Sequence, residues 1–407
     1  MSLDKFKDTE VGKIPVNWDL VSIGDQLDLI TDYHSNGSYK TLREHVDLKE
    51  TQDYALMVRT TNFEQNNFTD SLRYVDKSAY EFLEKSKVYP DDIIMNKIAN
   101  AGSVYLMPDL KRPVSLAMNL FLLRMKPSVN QRYVYYYLKH NEKYLKTFAQ
   151  GSVTKTITKD NVKKFPLVVP PLDIQNKIDY VLSLFYKKIL ALENINKNLT
   201  EISTRQFSHL MNNNIEEYLE LKDICKFIKG RKPKEISEQY KSNFSNYLTI
   251  EVLSNQNHAY AYDEKGIIAN EYDILMVMDG ASSGKLFYGK QGLVGSTLAK
   301  IDVDKEYLEI IYQFLKFNEK YISDNTTGSA IPHTDKGLVL NLKCPISKKL
   351  LDYSEFFKTI RSSIILNNNE IIKLQKLRDT LLPKLMSGEI DVTKINCDLN
   401  DFETQKM

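Results

Sequence analysis

The chain says the same thing twice, and that repetition constrains its fold more than any other feature. Tyr137-Leu138-Lys139-His140-Asn141-Glu142-Lys143-Tyr144 and Phe314-Leu315-Lys316-Phe317-Asn318-Glu319-Lys320-Tyr321 agree at six of eight positions, 177 residues apart (318 − 141). Gly151-Ser152 recurs as Gly328-Ser329 at the same offset. Asp92-Ile93-Ile94-Met95 answers Asp273-Ile274-Leu275-Met276 at 181 residues, and Val21 to Ile30 answers Leu219 to Ile228 at 198. Leu210-Met211 answers Leu385-Met386 at 175. Offsets that shrink steadily along the chain mark a colinear duplication whose second copy has lost residues. A period this long is a duplicated domain, since solenoid units run roughly 20–50 residues. Such a chain can form its own pseudo-dimer, which suits a target with two separated parts.

At 407 residues the chain exceeds one ordinary core, and two domains plus connectors are expected. Hydrophobic residues make up 42% of it, enough for packed cores and against global disorder. The 55 basic and 53 acidic side chains nearly cancel, so a general polyanion binder is disfavoured and any nucleic-acid contact must be local. Cys225, Cys344 and Cys397 are far apart, with neither a disulfide framework nor a CxxC metal spacing. No apolar run reaches the roughly 18 residues a membrane span needs, and the first residues are charged. A cytoplasmic protein without membrane contact is expected.

Each copy reads as a mixed α/β module. A short alternating apolar stretch opens it (Val21, Ile23, Leu27, Leu29; then Leu219, Leu221, Ile224). Turn-rich, strand-like segments come next over 92–105 and 273–288, then a tyrosine-rich helix near 134–148 and 307–321. The Gly-Ser turn leads to a final strand over 162–169 or 337–346. Behind each module runs a long periodic helix. The first starts after Pro170-Pro171, runs from Ile174 to about Met211 and ends at Asn212-Asn213-Asn214. Its seam is Ile178, Phe185, Leu192 and Leu199, with Val181, Ile195 and Ile202 three residues further on and Lys188 breaking that companion series. The second runs from about Tyr353 to Ser387 along Phe357, Ile360, Ile364, Ile371, Leu374 and Leu381, interrupted by Asn367, with Pro383 in its last turn and Ser387-Gly388 as C-cap. Two such helices in one chain are expected to pack on one another.

Chemistry-bearing motifs are conspicuous by their absence. Gly280-Ala281-Ser282-Ser283-Gly284-Lys285 has three residues between its glycines where a phosphate loop has four, and Leu286 stands where Ser or Thr is required. It reads as a Gly-rich hairpin turn. There is no GxGxxG, no Asn- or Asp-Pro-Pro-aromatic methylation motif, no HExxH and no clustered carboxylates. The chain is therefore expected to be non-catalytic and to hold no cofactor or metal of its own.

Local loops supply DNA-binding candidates instead. In copy one, Ser152, Thr154 and Lys155 come after the turn glycine, giving small hydroxyls and a cation that can approach a phosphate. Copy two has Ser329 and His333 there. Arg231 and Lys232 lie in the densest basic cluster, aligned with Tyr33, His34, Ser35, Asn36 and Gly37 of copy one. Asn96 and Lys97 open a loop that answers Val277 to Ala281, and Lys285 closes the Gly-rich turn. Arg, Lys and Asn are side chains that pair with base edges. A matched frame with mismatched loops is the pattern of two readers of different sequences.

Three segments stand out: Gly12-Lys13-Ile14-Pro15-Val16-Asn17-Trp18, the run from Phe165-Pro166-Leu167 through Pro170-Pro171-Leu172-Asp173-Ile174-Gln175-Asn176-Lys177-Ile178, and Leu377-Arg378-Asp379-Thr380-Leu381-Leu382-Pro383-Lys384-Leu385-Met386-Ser387-Gly388-Glu389-Ile390. With them the chain resembles the DNA specificity (S) subunits of type I restriction–modification systems. Copy two departs from the pattern: Cys344-Pro345-Ile346-Ser347 replaces the Pro-Pro segment, and Tyr218 stands near the position of the opening Trp. The resemblance implies two target recognition domains, 1–172 and 214–350, separated by spacer helices 173–213 and 351–390 in an antiparallel coiled coil, with a tail over 391–407. It implies that each domain reads one half of an asymmetric double-stranded DNA site. It implies that two methyltransferase subunits dock on the chain, that restriction/translocase subunits join them, and that S-adenosylmethionine, ATP and Mg²⁺ act in those partners. The rival reading is a stand-alone DNA-binding regulator dimerised by its long helices, and co-purification of a methyltransferase separates the two.

Overall fold

The computed structural model describes residues 5–151, 154–211, 217–254, 257–328 and 330–395. Contacts divide the chain into two compact units, Met1–Lys188 with Leu374–Met407, and Ile189–Lys373. Ser152, Ser329, Cys397 and the Asn212-Asn213-Asn214 stop lie outside the described residues.

Unit 1 is built on an antiparallel sheet of β1 (Leu27–Asp32), β2 (Ile93–Asn96), β3 (Val104–Leu106) and β4 (Leu120–Met125), in the order β1-β4-β2-β3. The central strands read as continuous apolar runs because both of their faces are covered. Ile93, Met95, Phe121 and Leu123 face one apolar cluster, while Ile94, Leu120 and Leu122 face another. A second four-stranded sheet contains a parallel pair, Ala55–Val58 with Val114–Leu116. Helix α1 (Gln131–His140) is capped by Asn130, whose side chain accepts from the Tyr133 amide at 2.8 Å. Its buried face carries Tyr133, Val134, Tyr137 and Leu138. The Gly-Ser turn leads first into a helical turn, Lys159–Lys163, and only then into the strand Pro166–Val169, so the final strand is shorter than its apolar pattern suggests. Pro170-Pro171 then end that strand, and α2 (Leu172–Met211) starts at once.

Unit 2 repeats this plan. β5 (Cys225–Lys229), β6 (Ile274–Val277), β7 (Leu286–Phe287) and β8 (Leu298–Val303) form an antiparallel sheet in the order β5-β8-β6-β7. Its second sheet, five strands wide, again holds one parallel pair, Ser245–Leu248 with Gly292–Val294. Helix α3 (Leu308–Phe317) begins and ends 177 residues after α1 (308 − 131 and 317 − 140). A helical turn, Lys336–Leu340, again precedes the closing strand, Lys343–Pro345. Ser347 caps a separate short helix, Lys348–Asp352, before α4 (Ser354–Met386), where copy one has its Pro-Pro stop.

Both long helices form where the periodicity places them, but the seam is spaced differently. Ile178 and Leu192 are buried, whereas Phe185 and Leu199 are half-buried and Ile195 and Ile202 are about half exposed. The inward companions come four residues on: Leu182, Ile189 and Ser203 are buried, and Asn196 is half-buried. Ile360, Ile364 and Ile371 are buried on α4, with Leu374 and Leu381 partly so. Within unit 2, Asn196 accepts from Asn367 at 2.8 Å and donates to Asn368 at 2.9 Å, while Phe207 meets Phe357 with ring centroids 6.1 Å apart. Numbers that fall on one helix as they rise on the other make these segments antiparallel. The Asn367 interruption is met by a polar partner, the device that sets register in paired helices. In unit 1, Ile174, Ile178 and Leu182 share a core with Ile14, Trp18, Leu385 and Met386. Gly388, at φ +71°, caps α4 where an added Cβ would lie 2.5 Å from Pro15 Cγ. Residues 391–395 also pack here: Val392 is buried, and Lys177 Nζ donates to the Thr393 carbonyl at 2.7 Å. Among the described residues, no helix is long and apolar enough to cross a membrane.

Candidate nucleic-acid interface

Each unit presents one loop cluster where the ends of its main-sheet strands meet the Gly-Ser turn, and the two clusters share a backbone frame. In unit 1 the Gln150 and Thr156 main chains exchange two hydrogen bonds of 2.8 Å, and Thr156 also bridges to Ile98. Thr327 and His333 repeat the exchange in unit 2 at 2.8 and 2.7 Å, with His333 bridging to Asp279. The amide of Lys97 donates to Asn119 and that of Ile157 to Lys97; Met278 to Thr297 and Thr334 to Met278 are their counterparts. Gly151 (φ +118°) and Gly328 (φ +91°) are required in these turns. A Cβ on either would lie 2.4 Å from the carbonyl oxygen of Thr154 or Ile331.

Onto this shared frame the two copies place different charges. Asp32 ends β1 opposite Phe121, and Lys229 ends β5 opposite Ala299, so an acid and a base hold equivalent positions. In unit 1 Asp32 accepts from Lys97 (3.0 Å), Lys159 (3.1 Å) and Ser35 (2.8 Å). Burial pushes its carboxyl up, but those three bonds outweigh burial and hold it at about 2. In unit 2 Asp279 accepts from Lys229 (2.9 Å) and pairs with His333 Nδ1 (2.8 Å). Burial again acts upward on this carboxyl, and the bonds to Lys229 and His333 bring it below the usual carboxylate range. Ile98 and Thr156 occupy the corresponding places in unit 1.

The remaining candidates scatter across these clusters. Thr154 and Lys155 are exposed on the turn of unit 1. Lys97 is engaged with Asp32 and lies 5.4 Å above the Phe121 ring. Asn96 is fully buried, its amide donating toward Glu64 (3.4 Å) and Tyr105 (3.3 Å), so the fold gives it no surface with which to meet a base edge. Lys232 is exposed, but Arg231 is held in a fork by Asp263 at 2.8 and 2.7 Å. Lys285 lies 5.1 Å over the Phe287 ring, in a turn that joins β6 to β7 as a hairpin. Sequence reasoning passed over Asp32 and Lys229, while Lys159 and Asp279 fell inside its candidate loops without being singled out. The exchange lies at an offset of 197 (229 − 32), one residue off the 198 of the opening strands, so it emerges only from the strand register. A cavity of about 250 Å³ beside the cluster of unit 1 is lined by Tyr33, Met57, Arg59, Thr60 and Met118 among others.

Comparison with known proteins bears on what this frame serves. Residues 15–201 and 215–378 each match the type I restriction modification DNA specificity domain. The MjaVIII type I restriction enzyme specificity subunit of Methanocaldococcus jannaschii is 31% identical over 184 residues, 42% of each chain. The MjaIX specificity subunit of the same organism is 22% identical over 434 residues, covering 96% of this chain and 98% of the relative. The crystal structure of a type I restriction–modification S subunit from M. genitalium shares the fold, with a TM-score of 0.57 at 17% identity over 94% of this chain and 99% of that one. The double family match leaves the stand-alone regulator without support, and the chain belongs to the type I restriction–modification specificity family as a DNA-recognition subunit with two recognition domains.

Proposed function

We propose that each recognition domain reads one half of a split, asymmetric site in double-stranded DNA. The observation that carries this reading is the exchange of chemistry on one backbone frame: Ile98 and Thr156 in unit 1 become Asp279 and His333 in unit 2. A carboxylate accepts from the amino groups of cytosine or adenine, whereas a threonine offers a hydroxyl and a methyl, so the half-sites differ in sequence. The exposed Lys155 and Lys232 anchor phosphates and make binding salt-sensitive.

Recognition domains of 1–172 and 214–350 and spacer helices of 173–213 and 351–390 divide this work, with the helices setting the gap between half-sites. The 40 residues of α2 extend ~60 Å at ~1.5 Å per residue, more than one turn of duplex. Exposed Ile195, Ile202 and Leu366 on the helix surfaces suit the docking of two methyltransferase subunits, with restriction/translocase subunits joining that assembly. Methylation and cleavage, together with S-adenosylmethionine, ATP and Mg²⁺, belong to those partners, and the assembly works in the cytoplasm.

The test is sequencing of methylated adenines in a host expressing the chain with its methyltransferase. The expected motif has two unlike halves around a fixed gap, and replacing residues 1–170 with those of another family member changes one half. A palindromic motif, or a change in both halves, overturns the reading.

A further inference from the structure

Each unit buries an ion pair between its recognition module and its long helix, and the polarity of the pair is opposite in the two units. In unit 1 Arg132, the second residue of α1, lies 3.3 Å from Asp179 on α2, with side chains 16% and 1% exposed, and also 3.6 Å from Asp91. In unit 2 Glu309, the second residue of α3, is bound by Arg361 on α4, and these side chains are 5% and 1% exposed. The two positions correspond on both sides. The offset 309 − 132 = 177 is the one that relates α1 to α3. The offset 361 − 179 = 182 also relates the buried seam residues Ile178 to Ile360, Leu182 to Ile364 and Ile189 to Ile371. By contrast, a partly exposed pair near the far ends of the same modules, Lys139 with Glu142, recurs unchanged as Lys316 with Glu319, each at 2.7 Å.

The surroundings are built for the polarity each copy has. Asp179 accepts from Asn130 at 3.3 Å. Arg361 donates to the Tyr272 carbonyl at 2.9 Å and faces the rings of Tyr272, Tyr288 and Tyr312 at 5.4–5.7 Å. Burial pushes the Asp179 carboxyl up to about 6 and raises that of Glu309, so desolvation offsets much of the attraction. Such a pair adds little net stability, whereas meeting a like charge in the same dry pocket costs a great deal.

We propose that this reversed pair is a pairing code that assigns each recognition domain to its own helix. The helices present similar apolar seams, so apolar packing alone discriminates weakly between them. Domain 1 docked on α4 would bury Arg132 against Arg361, and domain 2 docked on α2 would bury Glu309 against Asp179. Within one chain Pro170-Pro171 tie domain 1 directly to α2, so the code acts between chains: a domain from a second copy fits only the helix of matching polarity. The inference goes beyond the DNA-reading proposal and stands whatever sequence is read.

The experiment uses the full chain, with thermal melting, and refolding from denaturant monitored by light scattering. Arg132→Glu alone is expected to lower Tm by about 5–10 °C. Adding Asp179→Arg restores Tm but gives both copies one polarity. That double variant should refold with at least about twofold less of the native oligomeric state, the remainder mispaired. The quadruple variant, with Glu309→Arg and Arg361→Glu added, reverses both pairs and should recover native refolding. An unchanged Tm in the single variant, no recovery in the double, wild-type refolding fidelity in the double, or no recovery of fidelity in the quadruple each overturns the proposal.

Discussion

His333 Nδ1 lies 2.8 Å from Asp279 Oδ1, at the backbone bridge that joins Thr156 to Ile98 in the other recognition domain. An acid–imidazole pair thus replaces a hydroxyl and a branched apolar group on the same main-chain frame. If this bridge is where unit 2 reads DNA, Asp279→Asn alters one half-site only, since an amide both donates and accepts where a carboxylate only accepts. The expected change in preference between the best and next base is about 10-fold or more, from ~1–3 kcal/mol per paired contact. Binding selection on half-site-randomised duplexes measures it, and an unchanged motif removes Asp279 from the reading set.

The turn glycines make a paired prediction. Gly151→Ala forces a side chain against the Thr154 carbonyl at φ +118°, and Gly328→Ala does the same against Ile331 at φ +91°. Each costs about 1–3 kcal/mol of local strain. Each should weaken binding through its own half-site about 10-fold while leaving most of the thermal transition intact. Competition with duplexes mutated in either half assigns the loss.

Arg231 is not a free cation, because Asp263 accepts from two of its guanidinium nitrogens, Nε and Nη2. Asp263→Asn should release the guanidinium and steepen the salt dependence of DNA binding by about one unit of slope. Arg231→Ala should weaken binding relative to that variant. Anisotropy titrations across salt concentrations test this, and identical slopes would mean that the fork faces away from the duplex.

Among the shifted carboxyls of unit 1, Asp32 and Asp179 are displaced far in opposite directions. Asp32, held at about 2 against an ordinary value of 3.8, contributes stability that is present above its unfolded value and lost as pH falls from about 4 toward 2. Asp179, pushed up to about 6, binds its proton more tightly folded than unfolded, so its contribution worsens as pH rises from about 4 to 6. Denaturant unfolding against pH should show the Asp179 slope vanish in Asp179→Asn while the loss below pH 4 remains.

Asn196 and Asn367 meet across the two long helices within unit 2. Replacing both with leucine should raise resistance to denaturant by about 1 kcal/mol or more, since two amides leave an apolar seam. The register they specify should loosen, seen as spread in the gap between methylated half-sites. A sharp gap would show that the apolar seam alone sets register.

The duplication, the mixed α/β class and both long helices are legible in the sequence because each rests on local information. A repeat offset survives substitution, Pro170-Pro171 ends the strand before it, and apolar residues at helical spacing recur over 40 and 33 residues. Finer points were not legible. The seam of α2 runs through Leu182, Ile189, Asn196 and Ser203 rather than Val181, Ile195 and Ile202, because a three-residue and a four-residue spacing both fit one helix face. Asn96 reads as a base-reading amide, yet it is buried against Glu64 and Tyr105.

Sequence alone therefore determined that two equivalent modules exist and that a long helix succeeds each, since these depend on neighbours along the chain. Only the tertiary structure decided which charges meet: Lys159 with Asp32 across 127 residues, His333 with Asp279 across 54, and Arg361 with Glu309 across 52. Pairing at such separations depends on the folding of whole modules around them. A side chain's availability to DNA is settled by that pairing, and no local pattern records it.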